Sequence, residues 1–274
     1  MPTFSFKIYR YGSRSNVPSR YDIFELQLDE SASVLDALEV IRTTRDPSLM
    51  YRHSCHHSSC GTCACRINGR ERLACTTLVK DLGGGQILVE PLKGMPVVAD
   101  LVVEMKDFFR YIPPEWGHIR RSEWNPQADT PWGQSPKGRM SQGRTSQGLE
   151  RAIEGYTRFE SCIECGACVS ACPAAAGGPG SFMGPAALAA LNRELEKSLG
   201  GENGSRQDEA AEKNGGRGKR ANKLLALAAG DRGESKCVRA LQCSAVCPTR
   251  VFPARHILEL RRMVREIVDS SGQK

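Results

Sequence analysis

The stretch Cys162-Ile163-Glu164-Cys165-Gly166-Ala167-Cys168-Val169-Ser170-Ala171-Cys172-Pro173 decides how the rest of the chain is read. Its spacing, C-x2-C-x2-C-x3-C-P, is that of bacterial ferredoxins, in which three cysteines hold one iron–sulfur cluster and the fourth reaches across to a second. Such a module needs a partner run. Cys237, Cys243, Cys247 and Pro248 supply it with the spacing C-x5-C-x3-C-P. Laid over one another on their Cys-Pro endings, the two runs match at every cysteine except Cys165, opposite which stands Ala240. The crossover rule then gives Cys162, Cys165, Cys168 and Cys247 to a [4Fe-4S] cluster. Cys172, Cys237 and Cys243 remain for a centre lacking one corner, which is read as [3Fe-4S]. Two zinc knuckles would explain neither the paired Cys-Pro endings nor the three-ligand remainder.

Upstream lies another group, Cys55-His56-His57-Ser58-Ser59-Cys60-Gly61-Thr62-Cys63, followed by Cys75. This is the C-x4-C-x2-C…C spacing of plant-type [2Fe-2S] sites, where one tight loop must aim three thiolates at a small cluster. Gly61 and Ser58 suit a loop whose amides turn toward the sulfides. A structural zinc site would more often use paired C-x2–4-C knuckles. His56 and His57 are read as solvated, because four cysteines already complete the set. Cys65 is left over as a buried, inert thiol.

The chain has 274 residues, enough for two domains, with 40% hydrophobic and 25% charged residues, so neither a disordered nor a membrane-embedded protein fits. The longest apolar runs, Ala186–Leu191 and Leu224–Ala229, fall far short of the roughly 20 residues that cross a bilayer. The N-terminus shows no secretory signal, so a cytoplasmic address is expected, and there twelve cysteines point to metal rather than disulfides. The formal charge of +7 would suit a nucleic-acid partner. Three clusters of roughly −2 each, counted with their thiolates, bring the protein to about +1 and remove that need.

Phe4, Phe6 and Ile8, and again Phe24, Leu26 and Leu28, alternate with polar residues and predict two strands. Ser33 with Asp36 opens a helix through Thr44, residues 51 to 75 read as loop, and Gln86 to Glu90 as a closing strand. Residues 1–110 thus form a small α+β plant-type ferredoxin domain of β-grasp type. Residues 111–148, rich in proline and carrying Trp116, Trp124 and Trp132, form a connector in which the tryptophans pin an extended segment. Residues 149–274 form a mainly helical, bacterial-ferredoxin-like domain, with helices near Pro185–Leu195 and Ile257–Ile267. Ser198–Asn222 is too polar to order itself and predicts a mobile insertion. No dinucleotide-binding glycine fingerprint occurs; Gly83-Gly84-Gly85 lacks the spacing.

With these motifs in place, the chain resembles the iron–sulfur subunit of succinate dehydrogenase and fumarate reductase. The resemblance rests on Ser33-Val34-Leu35-Asp36-Ala37-Leu38, Cys55 through Cys63, Leu73-Ala74-Cys75, Asp100-Leu101-Val102-Val103-Glu104-Met105, Cys162 through Pro173, Gly184-Pro185-Ala186-Ala187 and Cys243 through Pro248. Cys-Ile-Glu-Cys-Gly-Ala-Cys and Gly-Pro-Ala-Ala are closer to the fumarate-reductase branch. The resemblance implies a complex in which a flavoprotein subunit with FAD interconverts succinate and fumarate. This chain would wire it to a quinone at a membrane-anchor subunit, peripherally on the cytoplasmic face of the inner membrane. Ubiquinone-using relatives carry a histidine and an aromatic residue where Val238 and Ala174-Ala175-Ala176-Gly177 stand. Arg261 falls at a basic position near the quinone and is expected to help place a quinone oxygen.

Two other readings compete. One is the equivalent subunit of a soluble or thiol-linked fumarate reductase or other flavoprotein dehydrogenase, expected to carry a further cysteine-rich domain after Cys247. The other is a zinc-stabilised binding protein, which would be colourless and free of sulfide.

Overall fold

The computed structural model describes residues 1–12, 18–112, 162–175, 180–199 and 218–271. Strands β1 (Thr3–Arg10) and β2 (Arg20–Gln27) pair antiparallel, Phe6 opposite Phe24, and their alternating side chains put Phe6, Ile8 and Leu26 into the core. Helix α1 (Val34–Thr44) starts at Ser33, whose side chain accepts from the amide of Asp36 while Asp36 accepts from the amide of Ser33. This reciprocal cap satisfies two otherwise orphaned donors. Val34, Leu35, Leu38 and Ile41 line one buried stripe of α1.

Residues 51 to 75 are not wholly loop. They contain the hairpin β3 (Ala64–Ile67) and β4 (Arg70–Leu73), turned by Asn68 and Gly69 at φ 49° and 78°. Two successive left-handed residues give the turn that matches strand twist, and Asn-Gly is the sequence that most readily adopts it. β5 (Ile87–Glu90) runs parallel to β1 and antiparallel to β3, closing a sheet of order β2-β1-β5-β3-β4. A small ribbon of β6 (Val97–Ala99) and β7 (Val102–Val103) follows.

The second domain is built around α4 (Pro185–Leu199), buried from Pro185 through Leu195. A helix covered on nearly all sides must satisfy its charges internally, and Glu194 does so with Arg193 at 2.7 Å and Arg220 at 2.8 Å. It packs against α5 (Lys219–Ala229) and α7 (Pro253–Ser271). Between lie three short helices: α2 (Lys106–Phe109), α3 (Ala167–Ser170) and α6 (Gln242–Ala245).

Phe108 and Ile112 pack in the helical core, while Ile163, Cys165 and Val169 pack on the sheet domain, so the two cores interlock across the boundary expected at residue 110. The segment expected as an insertion is helical at both described ends: Ser198 and Leu199 finish α4, and Lys219 begins α5. Hydrophobic periodicity from Ala221 to Ala228 draws the polar residues before it into the helix. Residues 200–217 and residues 113–148 of the connector, with its tryptophans, lie outside the described residues.

Replacing Ser33 by Ala removes one half of the α1 cap. It should cost about 1 kcal/mol, read as a lower midpoint in thermal unfolding followed by far-ultraviolet circular dichroism.

Candidate metal centres

Cys55, Cys60 and Cys63 lie on the loop between α1 and β3, and Cys75 on the single turn Ala74–Thr76 after β4. The hairpin brings the two stretches together: Ala64 pairs with Leu73, and the amide of Ala74 donates to the carbonyl of Cys63 at 3.2 Å. His56, Ser58 and Gly61 have φ of 60°, 64° and 69°. These left-handed turns aim amides inward, and the amide of Cys60 lies 3.4 Å from the Cys55 sulfur. Donation from the His57 amide and the Ser59 hydroxyl lowers the Cys55 thiol to about 5, which favours the thiolate a metal requires. Burial pushes the Cys63 thiol up, opposed by a hydrogen bond from the Cys75 backbone and reinforced by the Cys75 thiol. His56 and His57 are exposed. Cys65 is buried inside the sheet, its thiol pushed up to about 12 by burial, and stays outside the group.

The second and third groups are two copies of one backbone. Glu164 and Gly166 have φ of 52° and 84°; Arg239 and Leu241, at the matching places, have 58° and 59°. Each copy then enters a short helix, α3 or α6. Leu241 adopts a conformation that costs an ordinary residue roughly 1–2 kcal/mol. Ala240 therefore occupies the backbone position equivalent to Cys165. One cleft is lined by Cys162, Cys165, Cys168 and Cys247, and a separate cavity by Cys172, Cys237 and Cys243. Burial raises the Cys168 thiol, and Cys165, Cys162, Cys243 and Cys247 add to the rise, so charge on either set acts on this sulfur. The amide of Val251 donates to the Cys247 sulfur at 3.3 Å, while those of Ala175 and Ala174 oppose the upward shift that burial gives Cys172.

The first two groups meet at Gly61. A Cβ there would lie 2.7 Å from the Cβ of Cys165 and 2.8 Å from the carbonyl oxygen of Ile163. Polar contacts hold the junction: Ser170 donates to Glu71 at 2.8 Å, the amide of Lys93 donates to Ser170 at 2.8 Å, and Arg70 donates to the carbonyl of Ala245 at 3.0 Å. Beside it, Arg52 has its Nε and one terminal nitrogen buried without an acceptor. Burial lowers its basicity while Cys165, Cys65 and Cys63 raise it, so the guanidinium is coupled electrostatically to sulfurs of both groups. A buried cation without a counter-charge is costly. Anionic clusters on these thiolates would supply that charge, and an all-sulfur donor set is the one iron–sulfur clusters use. The residues fit.

Sequence reasoning passed over Arg52, since nothing in its spacing marks it. Arg261, expected near a quinone, is tied down: Nε donates to Glu234 at 2.5 Å, and Nη2 to the carbonyls of Glu234 and Cys237 at 2.6 and 3.1 Å. Its guanidinium thus steadies the loop that carries Cys237 while its edge lines the cavity of about 260 Å³ beside Cys172, Cys237 and Cys243. Around that cavity Val238, Leu241 and Leu258 are 64%, 62% and 63% exposed, an apolar collar on the surface.

Residues 5–110 match the 2Fe-2S iron-sulfur cluster binding domain and residues 158–251 the 4Fe-4S dicluster domain. The fumarate reductase iron-sulfur subunit of Haemophilus influenzae is 31% identical over 256 residues, covering 93% of this chain and 91% of that protein. The chain belongs to the iron–sulfur subunit family of fumarate reductases and succinate dehydrogenases. The Mycobacterium tuberculosis fumarate reductase subunit is likewise 31% identical, over 90% of this chain and 87% of its own. The Paracoccus denitrificans succinate dehydrogenase iron-sulfur subunit is 28% identical over 94% of this chain and 87% of its own. A chain of the Mycobacterium smegmatis Sdh1 complex shares the fold, with a TM-score of 0.65 at 20% identity over 96% of both chains. Family members of both activities are thus similar along nearly the whole length.

Gly61→Ala tests the junction. The added methyl meets Cys165 and Ile163 in a left-handed backbone, and should destabilise the protein by roughly 1–3 kcal/mol, read as a lower temperature for loss of the visible cluster absorption.

Proposed function

We propose that this chain is the electron-transfer subunit of a succinate dehydrogenase or fumarate reductase complex. Cys55, Cys60, Cys63 and Cys75 hold a [2Fe-2S] cluster. Cys162, Cys165, Cys168 and Cys247 hold a [4Fe-4S] cluster, and Cys172, Cys237 and Cys243 a [3Fe-4S] cluster. When bound, these clusters supply a relay of one-electron carriers between the FAD of a flavoprotein partner and a quinone. The chain's own contribution is placement. Gly61 lets the first loop touch the second, and the short helices α3 and α6, which carry Cys168 and Cys243, pack against each other, so the three donor sets adjoin in one row. That row is the observation that carries the reading, because electron transfer weakens steeply with distance.

The two ends of the row suit different partners. The first group presents polar, exposed His56, His57 and Ser59, fit for a soluble flavoprotein. The third lies behind the collar of Val238, Leu241 and Leu258, fit for an apolar anchor. Exposed apolar side chains gathered around a cavity mark an interaction site. Among the described residues no helix is long and apolar enough to cross a membrane, which suits a peripheral subunit held by that anchor. Arg261 then acts on the quinone end by fixing the Cys237 loop and presenting one edge to the cavity.

Co-expressed with its flavoprotein and anchor, the chain should purify as a membrane complex that passes electrons between succinate and a quinone; a brown chain that joins neither partner would overturn the reading. Ala240→Cys offers a fourth thiolate at the third group and should convert the [3Fe-4S] centre to [4Fe-4S], read as loss of the three-iron electron paramagnetic resonance signal from the oxidised protein. Arg52→Gln removes a positive charge shared by the first two groups. It should lower both their reduction potentials in redox titrations while leaving the third less changed.

A further inference from the structure

Away from every cysteine, α4 and α7 bring together a second set of metal-binding side chains. Asn192 and Glu196 stand one turn apart on α4, and His256 and Glu259 one turn apart on α7, so each pair shares a face. One ligand atom from each of Glu196, His256 and Glu259 lies within 4.8 Å of the others.

The amide of Asn192 sits in their midst and is fully buried. Its Nδ2 lies 2.8 Å from Glu196 Oε1, 3.1 Å from His256 Nδ1 and 3.1 Å from Glu259 Oε2, while its Oδ1 has no hydrogen-bond partner. An amide nitrogen carries two hydrogens, and here it faces three acceptors. Leaving the buried carbonyl oxygen unsatisfied adds a desolvation cost. Three acceptors converging on one electropositive atom, with an oxygen donor able to take that atom's place by a turn of the amide, is the geometry a cation requires.

We propose that Asn192, Glu196, His256 and Glu259 form a site for a first-row divalent cation, with two carboxylates, one imidazole nitrogen and the Asn192 carbonyl oxygen as ligands. Burial, followed by the nearby Glu259, raises the Glu196 pKa by disfavouring its charged form, and a bound cation would offset both causes. Burial also holds His256 below its ordinary value, which leaves a neutral imidazole able to ligate. Arg255 pairs with the outer oxygen of Glu259 at 3.1 Å and leaves the inner one facing Asn192. The Glu259 side chain is 34% exposed, so the ion can enter from solvent. Such a cation fastens α4 to α7, the helix that carries Leu258 and Arg261 along the cavity of the third group.

The test uses the full chain with its clusters assembled, treated with a chelator, exposed anaerobically to Zn²⁺ and desalted before metal analysis. About one zinc per chain should be retained with iron and sulfide unchanged, and affinity should fall about 10–100-fold in Glu196→Gln and Glu259→Gln. Both substitutions lie at partly exposed positions, and an unchanged visible spectrum shows that the variants fold; His256→Asn gives a further check at the buried ligand. No zinc retained, zinc gained only as iron is lost, or equal retention by the folded variants would each overturn the proposal.

Discussion

The contact between Gly61 and the Cys165 backbone is the constraint on which the architecture turns. Any side chain larger than hydrogen forces a shift there, because a Cβ would overlap both Cys165 and the Ile163 carbonyl. Interlocked cores maintain the contact: Phe108 and Ile112 leave the sheet domain for the helical one, while Ile163 and Val169 return to pack on the sheet. The Glu71–Ser170–Lys93 hydrogen bonds then orient the surfaces that apolar packing has brought together. Buried polar groups of this kind contribute little net energy when satisfied but are expensive to break, so they fix the angle of approach more than they strengthen it.

Electrostatics completes the same arrangement. A guanidinium with two nitrogens buried without an acceptor, as in Arg52, is unfavourable in isolation, and anionic centres on the neighbouring sulfurs would offset that cost. At the far end, Arg261 spends its charge on Glu234 and on the carbonyl of Cys237. One arginine acts on the sulfurs through its charge, and the other shapes the loop that presents them.

What the sequence disclosed follows from how local each determinant is. Ligand spacing within Cys162–Cys172 is set by a few adjacent backbone angles, so it can be read from the letters alone; the cap at Ser33 and Asp36 is equally local. The hairpin β3–β4 was announced by Asn68-Gly69, yet the cysteines around it drew the reading toward loop. Arg52, and the tie of Arg261 to Glu234, were out of reach for a different reason: the partners come from distant stretches, Cys165 for one and Glu234 for the other. The polar segment before Ala221 joins α5 because packing overrides composition, which no local rule conveys.

The two-residue turn at Asn68-Gly69 also chooses between sulfur atoms. Cys63 and Cys65 differ by two positions, so both point to the same side of the strand line, and both are cysteine. With Ala64 opposite Leu73, Cys63 is the one carried to the end of the hairpin where Cys75 waits, and Cys65 stays inside the sheet. Slippage by two residues would preserve the inward and outward pattern and exchange their roles, so hydrophobicity alone does not forbid it. A tight turn does, by allowing a single loop length, and it thereby decides which of two chemically identical thiols faces Cys75.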